Sequence, residues 1–363
     1  MERLKRWCSL STKMKGMYWM LFLLSTIQVF AYHPDKEQIE KKKNINLSYT
    51  ISPSDKISLN NQFGDIKVSF WDKKEVRVEV IIVANASSEG RAADFINTVD
   101  VTGKKEEGQV IIKTIIDRNE SNYSNNNKGE KNSLKVDYQV YMPKSNALQL
   151  KNSFGNVYLP TFTMPLTINQ SYGKLMAEDM LNTQSDVTLA FCKNSYIKSM
   201  AGGKLKASYS SIKMEKADDF DFNNSFGEID IKEVGKIDAK ISYSSGTIGL
   251  VKESSNLKLD FSGDFRVGTL GRNVKELDIN ANYSPVNIAL DDNVTYDFDI
   301  KAHYGDFDYP EDRGVSFTRN TETVVKKDRY SFNPTKYYSG KLGKGSAGCK
   351  ITINGNFSSV KLR

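Results

Sequence analysis

The chain has 363 residues, 26% of them charged and 11% aromatic, with a formal net charge of +7, long enough for a sizeable core or two domains and too balanced for a tail or linker. Arg3, Lys5, Arg6, Lys13 and Lys15 stand against Glu2 in the first 31 residues, and without that segment 46 basic and 43 acidic residues remain. A net +3 over the rest of the chain is no footprint for nucleic acid, which needs a clustered basic face.

Residues 1–31 read as a signal peptide: a basic start, an apolar run from Met17 to Leu24 extended by Ile27, Val29 and Phe30, then Val29-Phe30-Ala31 before Tyr32 as a small-residue cleavage site. The run contains Gln28 and is shorter than the ~20 residues of a spanning helix, so the mature chain is expected to begin at Tyr32 with no transmembrane span. Met14 offers an alternative start that shortens the leader to a conventional length. Cys8 precedes the apolar run and is no lipidation site. The expected location is the periplasm, the outer-membrane surface or the extracellular space. Cys192 and Cys349 then remain, and in a stacked architecture they lie too many rungs apart to bridge, so two buried free thiols are expected.

Residues 32–149 are expected to form a β-rich capping region. Residues 45–83 and 109–142 hold long alternating runs, above all Glu75-Val-Arg-Val-Glu-Val-Ile-Ile-Val and Leu134-Lys-Val-Asp-Tyr-Gln-Val-Tyr-Met. Between them Ala92, Phe95, Ile96 and Val99 follow helical spacing after Ser87-Ser88-Glu89, which predicts one short helix over 87–99, covering the open end of a rod. Residues 118–133 have no periodicity and read as a mobile hairpin loop.

Residues 150–363 are expected to form the repeat region. An aromatic residue in a small polar turn before an aliphatic one occurs at Phe63, Phe154, Tyr172, Tyr209, Phe226, Tyr243, Phe261, Tyr283, Tyr304 and Phe357, with a degenerate copy near Phe191. Spacings of about 17–22 residues are too short for a strand plus a covering helix, so each copy is a coil of short strands. Period-two alternation puts Leu205 with Ala207, Ile229 with Ile231, and Leu257 with Leu259 and Phe261 on inward faces. The prediction is an all-β, single-stranded β-solenoid of right-handed type, a rod on the order of 50 Å long. Its aromatics stack as a ladder in which Phe226 is buried between neighbours. Glycine at 64, 155, 173, 227 and 305 is expected to supply a positive φ, and Asn or Ser before the aromatic to bond its own turn. The lapse between Tyr304 and Phe357 leaves room for a hairpin or irregular rung before the closing strands.

The turn motif, a Val-Asp-Tyr-Gln-Val-Tyr-Met-Pro strand at 136–143 running into Leu-Gln-Leu-Lys-Asn-Ser-Phe-Gly-Asn-Val, and the Ile-Thr-Ile-Asn-Gly-Asn-Phe-Ser-Ser-Val terminus resemble the putative-adhesin β-strand-repeat proteins of Gram-negative bacteria over about residues 45–363. The resemblance implies an exported β-solenoid with no established ligand residues. It also implies genes often lying beside sigma and anti-sigma factors, hence a link to envelope-stress signalling.

Residues able to do chemistry are sparse. His33 and His303 are the only histidines, too few for a multi-histidine metal site, and His303 occupies a turn slot. Asp65, Glu228, Asp264 and Asp306 follow turn positions, but on different rungs, so no carboxylate pair is forced together. The calcium repeat of other solenoids is absent, and Gly340-Lys-Leu-Gly-Lys-Gly-Ser lacks the spacing of a phosphate loop. No catalytic, cofactor or metal residue is therefore assigned. Turns recur too often for an outer-membrane barrel. The reading is a non-enzymatic surface or periplasmic module whose partner is an unidentified envelope or host polymer or protein. The alternative is a carbohydrate-active β-helix, a polysaccharide lyase or hydrolase, using carboxylates such as Glu228, Asp264 and Asp306.

Overall fold

A computed structural model describes residues 38–117, 132–321, 334–345 and 348–363. The leader 1–31, Tyr32, His33 and all but the last two residues of the 118–133 loop lie outside the described residues. What is described is an all-β solenoid with one α-helix, Glu89–Asn97, and a single 3-10 turn, Glu311–Arg313.

Each rung has the same plan. One strand leads into the aromatic corner and a second runs back from it, as Leu166–Ser171 and Leu175–Met180 do around Tyr172. Successive rungs pair in parallel and in register: Ile168 lies between Leu150 and Val187, and Ala177 between Leu159 and Ile197. One sheet is therefore built from the strands before the aromatics and a second from the strands after them. Between the sheets the predicted inward residues Leu205, Ile229, Ile231, Leu257 and Leu259 are at most 1% exposed, each contributing about 1.5–3 kcal/mol by burial.

The Phe63 rung, Lys56–Gln62 with Ile66–Phe70, sits directly beside the Phe154 rung despite the sequence between them. That intervening sequence supplies edge strands. Ile39–Thr50, Glu75–Ala86 and Ser133–Met142 extend one sheet, and Val99–Glu106 with Gln109–Ile116 extends the other. The helix packs on Ile39–Thr50 and Glu75–Ala86 through buried Ala92 and Ile96, and Ser88 caps it by accepting from the Arg91 N–H. At the other end Thr335–Leu342 pairs antiparallel with both Tyr296–His303 and Val315–Asn320. Antiparallel strands thus end the stack on both sides, so that its edges differ from the parallel rungs between them.

Several details differ from the sequence expectation. Phe357 is not the last rung: Cys349–Asn356 inserts between Glu276–Asn282 and Tyr296–His303. Second, the positive φ belongs to the aromatic and not to the glycine after it. Eleven aromatic corner residues, from Phe63 to Phe357 and including Phe191, have φ between 47° and 63°, whereas glycines 64, 155, 173, 227 and 305 do not lie in that region. Glycine is needed there for space, because a Cβ on Gly155 would overlap the Gly64 carbonyl and one on Gly173 the Gly155 carbonyl.

Most corners also carry a buried polar group, supplied in one of two ways. Where glycine follows the aromatic, an amide two residues before it usually fills the place: Asn61 donates to the Val136 carbonyl at 2.8 Å, Gln170 to the Gly155 carbonyl at 2.5 Å and Asn224 to Ser244 Oγ at 2.8 Å. Asn152 holds the same position without a hydrogen bond among the described residues. Where serine follows, the residue two before is apolar or glycine, and the hydroxyl spans two rungs. Ser210, Ser262, Ser284 and Ser358 each accept the N–H of the corner beneath, at 2.9–3.3 Å, and each donates to the carbonyl two residues earlier. The Asn or Ser immediately before the aromatic, expected from sequence to brace the turn, is not the bracing group. The Tyr304 rung, at the end of the stack, has Ala302 with Gly305 and neither device.

Two comparisons test these roles in denaturant melts. Gly155→Ala should cost about 3 kcal/mol or more by forcing two rungs apart, whereas Gly263→Ala, with nothing within 4 Å of its Cβ, should be neutral or stabilising by up to about 1 kcal/mol. Ser210→Gly, which strips the acceptor from the buried Cys192 N–H, should cost about 1–3 kcal/mol. Cys192→Ser installs the hydroxyl used at other corners and should stay within about 1 kcal/mol; equal losses in the two would refute the shared slot.

Candidate functional site

The left-handed corners throw their rings outward, where they form one stack in the spatial order Phe63, Phe154, Tyr172, Phe191, Tyr209, Phe226, Tyr243, Phe261, Tyr283, Phe357, Tyr304. Neighbouring centroids lie 4.7–5.2 Å apart with planes within 9°. The ladder expected from sequence is present, but it is not buried: from Phe154 onward every ring is 43–52% exposed. Phe226, read as buried, is 47% exposed, and Phe261, read as inward by alternation, is 48% exposed. Alternation does place Leu259 inward, and the positive φ at Phe261 then turns its ring out of the core.

Stacking decides what this edge can do. Ring faces are used up against each other, so a ligand meets only ring edges, which carry the positive part of the aromatic quadrupole. A sugar ring cannot lie flat on an inner member of the ladder. Contacts to a ligand must come mainly from the polar side chains flanking the rings.

Two shallow grooves lie along those flanks. One, about 590 Å³, is lined by Phe226, Tyr243, Phe261, Glu228 and Asp264 among others. The structure thus brings two of the suspected carboxylates to one groove, but two rungs apart, roughly 10 Å at strand spacing, well beyond the ~5–5.5 Å of a retaining glycosidase pair and about the upper end of the ~6.5–9.5 Å of an inverting one. The other groove, about 640 Å³, lies on the sheet of pre-aromatic strands where the Phe357 rung is inserted, and is lined by Lys258, Asn280, Asn282, Lys301, His303 and Asn354 among others.

The remaining suspects have structural partners. Asp65 accepts from the Asn156 backbone and side-chain N–H groups at 2.8 and 3.1 Å, tying one corner to the next. Asp306 pairs with Lys336 at 2.8 Å. His303 Nδ1 hydrogen-bonds Thr335 Oγ1 at 2.7 Å and its ring lies edge-on to Tyr304 at 4.5 Å. Gly343 and Gly345 have positive φ, and the Lys344 carbonyl accepts from Thr295, so this segment serves as a turn. Cys192 and Cys349 are free and buried; burial raises both thiols, Cys349 to about 11, which suppresses the reactive thiolate. Cys192 Sγ donates to the Gln170 and Ala190 carbonyls at 3.4 and 3.3 Å. Among the described residues no group of three or more His, Cys, Asp and Glu is placed to hold a metal ion.

A family model described as Toastrack DUF4097 matches residues 54–333. No curated protein matches the chain. Among solved structures it is similar to a "putative cell adhesion protein" from Clostridium sporogenes, at 12% identity and TM-score 0.18, covering 90% of this chain and 99% of that one. It is also similar to a "putative adhesin" from Bacteroides fragilis, at 11% identity and TM-score 0.26, covering 89% and 98%. A "putative lipid binding protein" from Parabacteroides distasonis matches at 13% identity and TM-score 0.32, covering 88% and 96%.

The exposed ladder makes its own prediction. Phe226 stacks on two rings at 4.9 Å, so Phe226→Ala should cost about 1–3 kcal/mol, less than the ~3–5 kcal/mol of a buried ring. Phe226→Gly should be no worse than alanine, since it relieves a left-handed strain of about 1–2 kcal/mol. Urea melts give the order, and alanine clearly above glycine would contradict the left-handed corner.

Proposed function

The chain belongs to the Toastrack DUF4097 family, and on that premise we propose that it is an exported, non-enzymatic binding module of the cell envelope or surface. Export rests on the leader 1–31. Binding rests on one observation: eleven rungs in register create a face in which the same outward positions recur at every rung, flanking a half-exposed edge. A surface that repeats at strand spacing, ~4.8 Å over about 50 Å, is matched to a polymer whose units also repeat. A shallow face of polar side chains makes many weak contacts and encloses no reacting group, so the ligand is held weakly and reversibly and leaves unchanged.

One observation favours the second reading, a carbohydrate-active enzyme: Glu228 and Asp264 share a groove. The test takes the chain from Tyr32 onward, a glycan array for binding and a reducing-end assay on the same polysaccharides. Reversible binding without new reducing ends is the expected result. Turnover that survives a chelator and disappears in Glu228→Gln, Asp264→Asn or Asp306→Asn would establish the enzyme instead.

A further inference from the structure

Three residues before each aromatic, the outward side chain falls in one column across the sheet of pre-aromatic strands. Register carries this column from Lys113 through Asn60 and Lys151 to Lys206, Lys240, Lys258 and finally Lys301, and every position between is Asn or Thr. Twelve strands thus contribute six lysines and no carboxylate.

The state of these lysines is the second observation. Lys113, Lys151, Lys206, Lys240, Lys258 and Lys301 are all exposed, and among the described residues none takes part in an ion pair or a side-chain hydrogen bond. At the corner opposite the ladder the reverse holds: Lys198 pairs with Asp179 at 3.0 Å, Lys252 with Glu233 at 2.5 Å, and Lys232 with Glu215. One long face therefore keeps its cations uncommitted while another neutralises them rung by rung. Between the lysines, asparagine amides add donors and acceptors, as where Asn354 Nδ2 donates to Asn280 Oδ1 at 3.3 Å, and the groove of about 640 Å³ lies on this same column.

We propose that this column is the docking strip for a linear, carboxylate-bearing polysaccharide lying along the stack, a proposal that rests on the binding-module reading. The strip is narrow. On its far side Asp186, Asp221, Asp238, Asp278 and Asp299 stand two residues away along the strands, about 7 Å, and on its near side the serine hydroxyls and ring edges begin, with Asp260 the single carboxylate in that row and already accepting from Asn282 Nδ2 at 2.8 Å. A single chain meets lysines without reaching the far-side aspartates, whereas a nucleic-acid duplex or an anionic bilayer is wide enough to be repelled by them. Asparagine and serine satisfy the sugar hydroxyls, and lysines hold the carboxylates as mobile point charges.

Binding of the chain from Tyr32 onward is measured against polygalacturonate, dextran, a DNA duplex and phosphatidylglycerol vesicles. Polygalacturonate should bind most tightly and weaken with added salt. The triple variant K206Q/K240Q/K258Q should lose at least about tenfold in affinity, while K198Q/K232Q/K252Q, on the paired corner, should lose less than about twofold; thermal melts verify that both variants fold. Equal binding of dextran, an unchanged K206Q/K240Q/K258Q variant, or preference for duplex or vesicles would overturn the strip. If dextran binds reversibly the binding-module reading survives the loss of this inference, whereas breakdown of polygalacturonate would remove both.

Discussion

The structure depends on holding a bulky residue in the left-handed conformation once per rung. At about 1–2 kcal/mol each, eleven such corners cost an amount comparable with the whole stability of an ordinary domain. Ring stacking, on both faces for the inner members, offsets this, as do hydrogen bonds in which the aromatic N–H of every rung but the last donates to the next, Phe154 to Ser171 at 3.0 Å and Tyr172 to Ala190 at 3.0 Å. All of these are contacts between rungs. A single coil has the strain and none of the compensation, so the corner exists only in an array, the nearest-neighbour cooperativity expected of repeat proteins.

The corner also explains the small residue that follows. With the ring outside, the next residue turns toward the adjacent rung and is small: at Gly155 and Gly173 a Cβ would overlap that rung's carbonyl, while other corners admit the short side chain of serine or cysteine. Glycine leaves the buried corner without a polar group and an amide two residues earlier supplies one; serine brings its own. Cys192 is the same solution with sulfur, which accounts for a thiol with two carbonyl partners and no partner cysteine.

Much of this was legible in the chain. The spacing of the aromatics gave the rungs, alternation gave Leu205, Ile229 and Leu257 as core, and Ser88 with Ala92 and Ile96 gave the helix. The sign of a backbone dihedral does not appear in an alternating pattern, so Phe261 read as inward and Gly155 as the left-handed residue. Phe191 looked degenerate because cysteine stands where glycine or serine is usual, although it is a full member of the ladder. Repeats identify rungs and not their spatial order, which hid the insertion of Phe357. The lysine column was invisible for a related reason: its members are 17 to 91 residues apart, and only the parallel register makes them neighbours.

That insertion bears on how the molecule is made. Residues 349–362 are synthesised after 296–342, yet lie between those residues and the Tyr283 rung. The stack therefore cannot be laid down in the order of translation or of passage through an export channel. Until the late segment arrives, the Tyr283 rung presents two bare strand edges and the residues beyond it have no parallel neighbour on that side. Their only ready partners are one another, through the antiparallel pairing of Tyr296–His303 with Thr335–Leu342. The late segment thus acts as a keystone, joining two pieces that had to stay apart until it came.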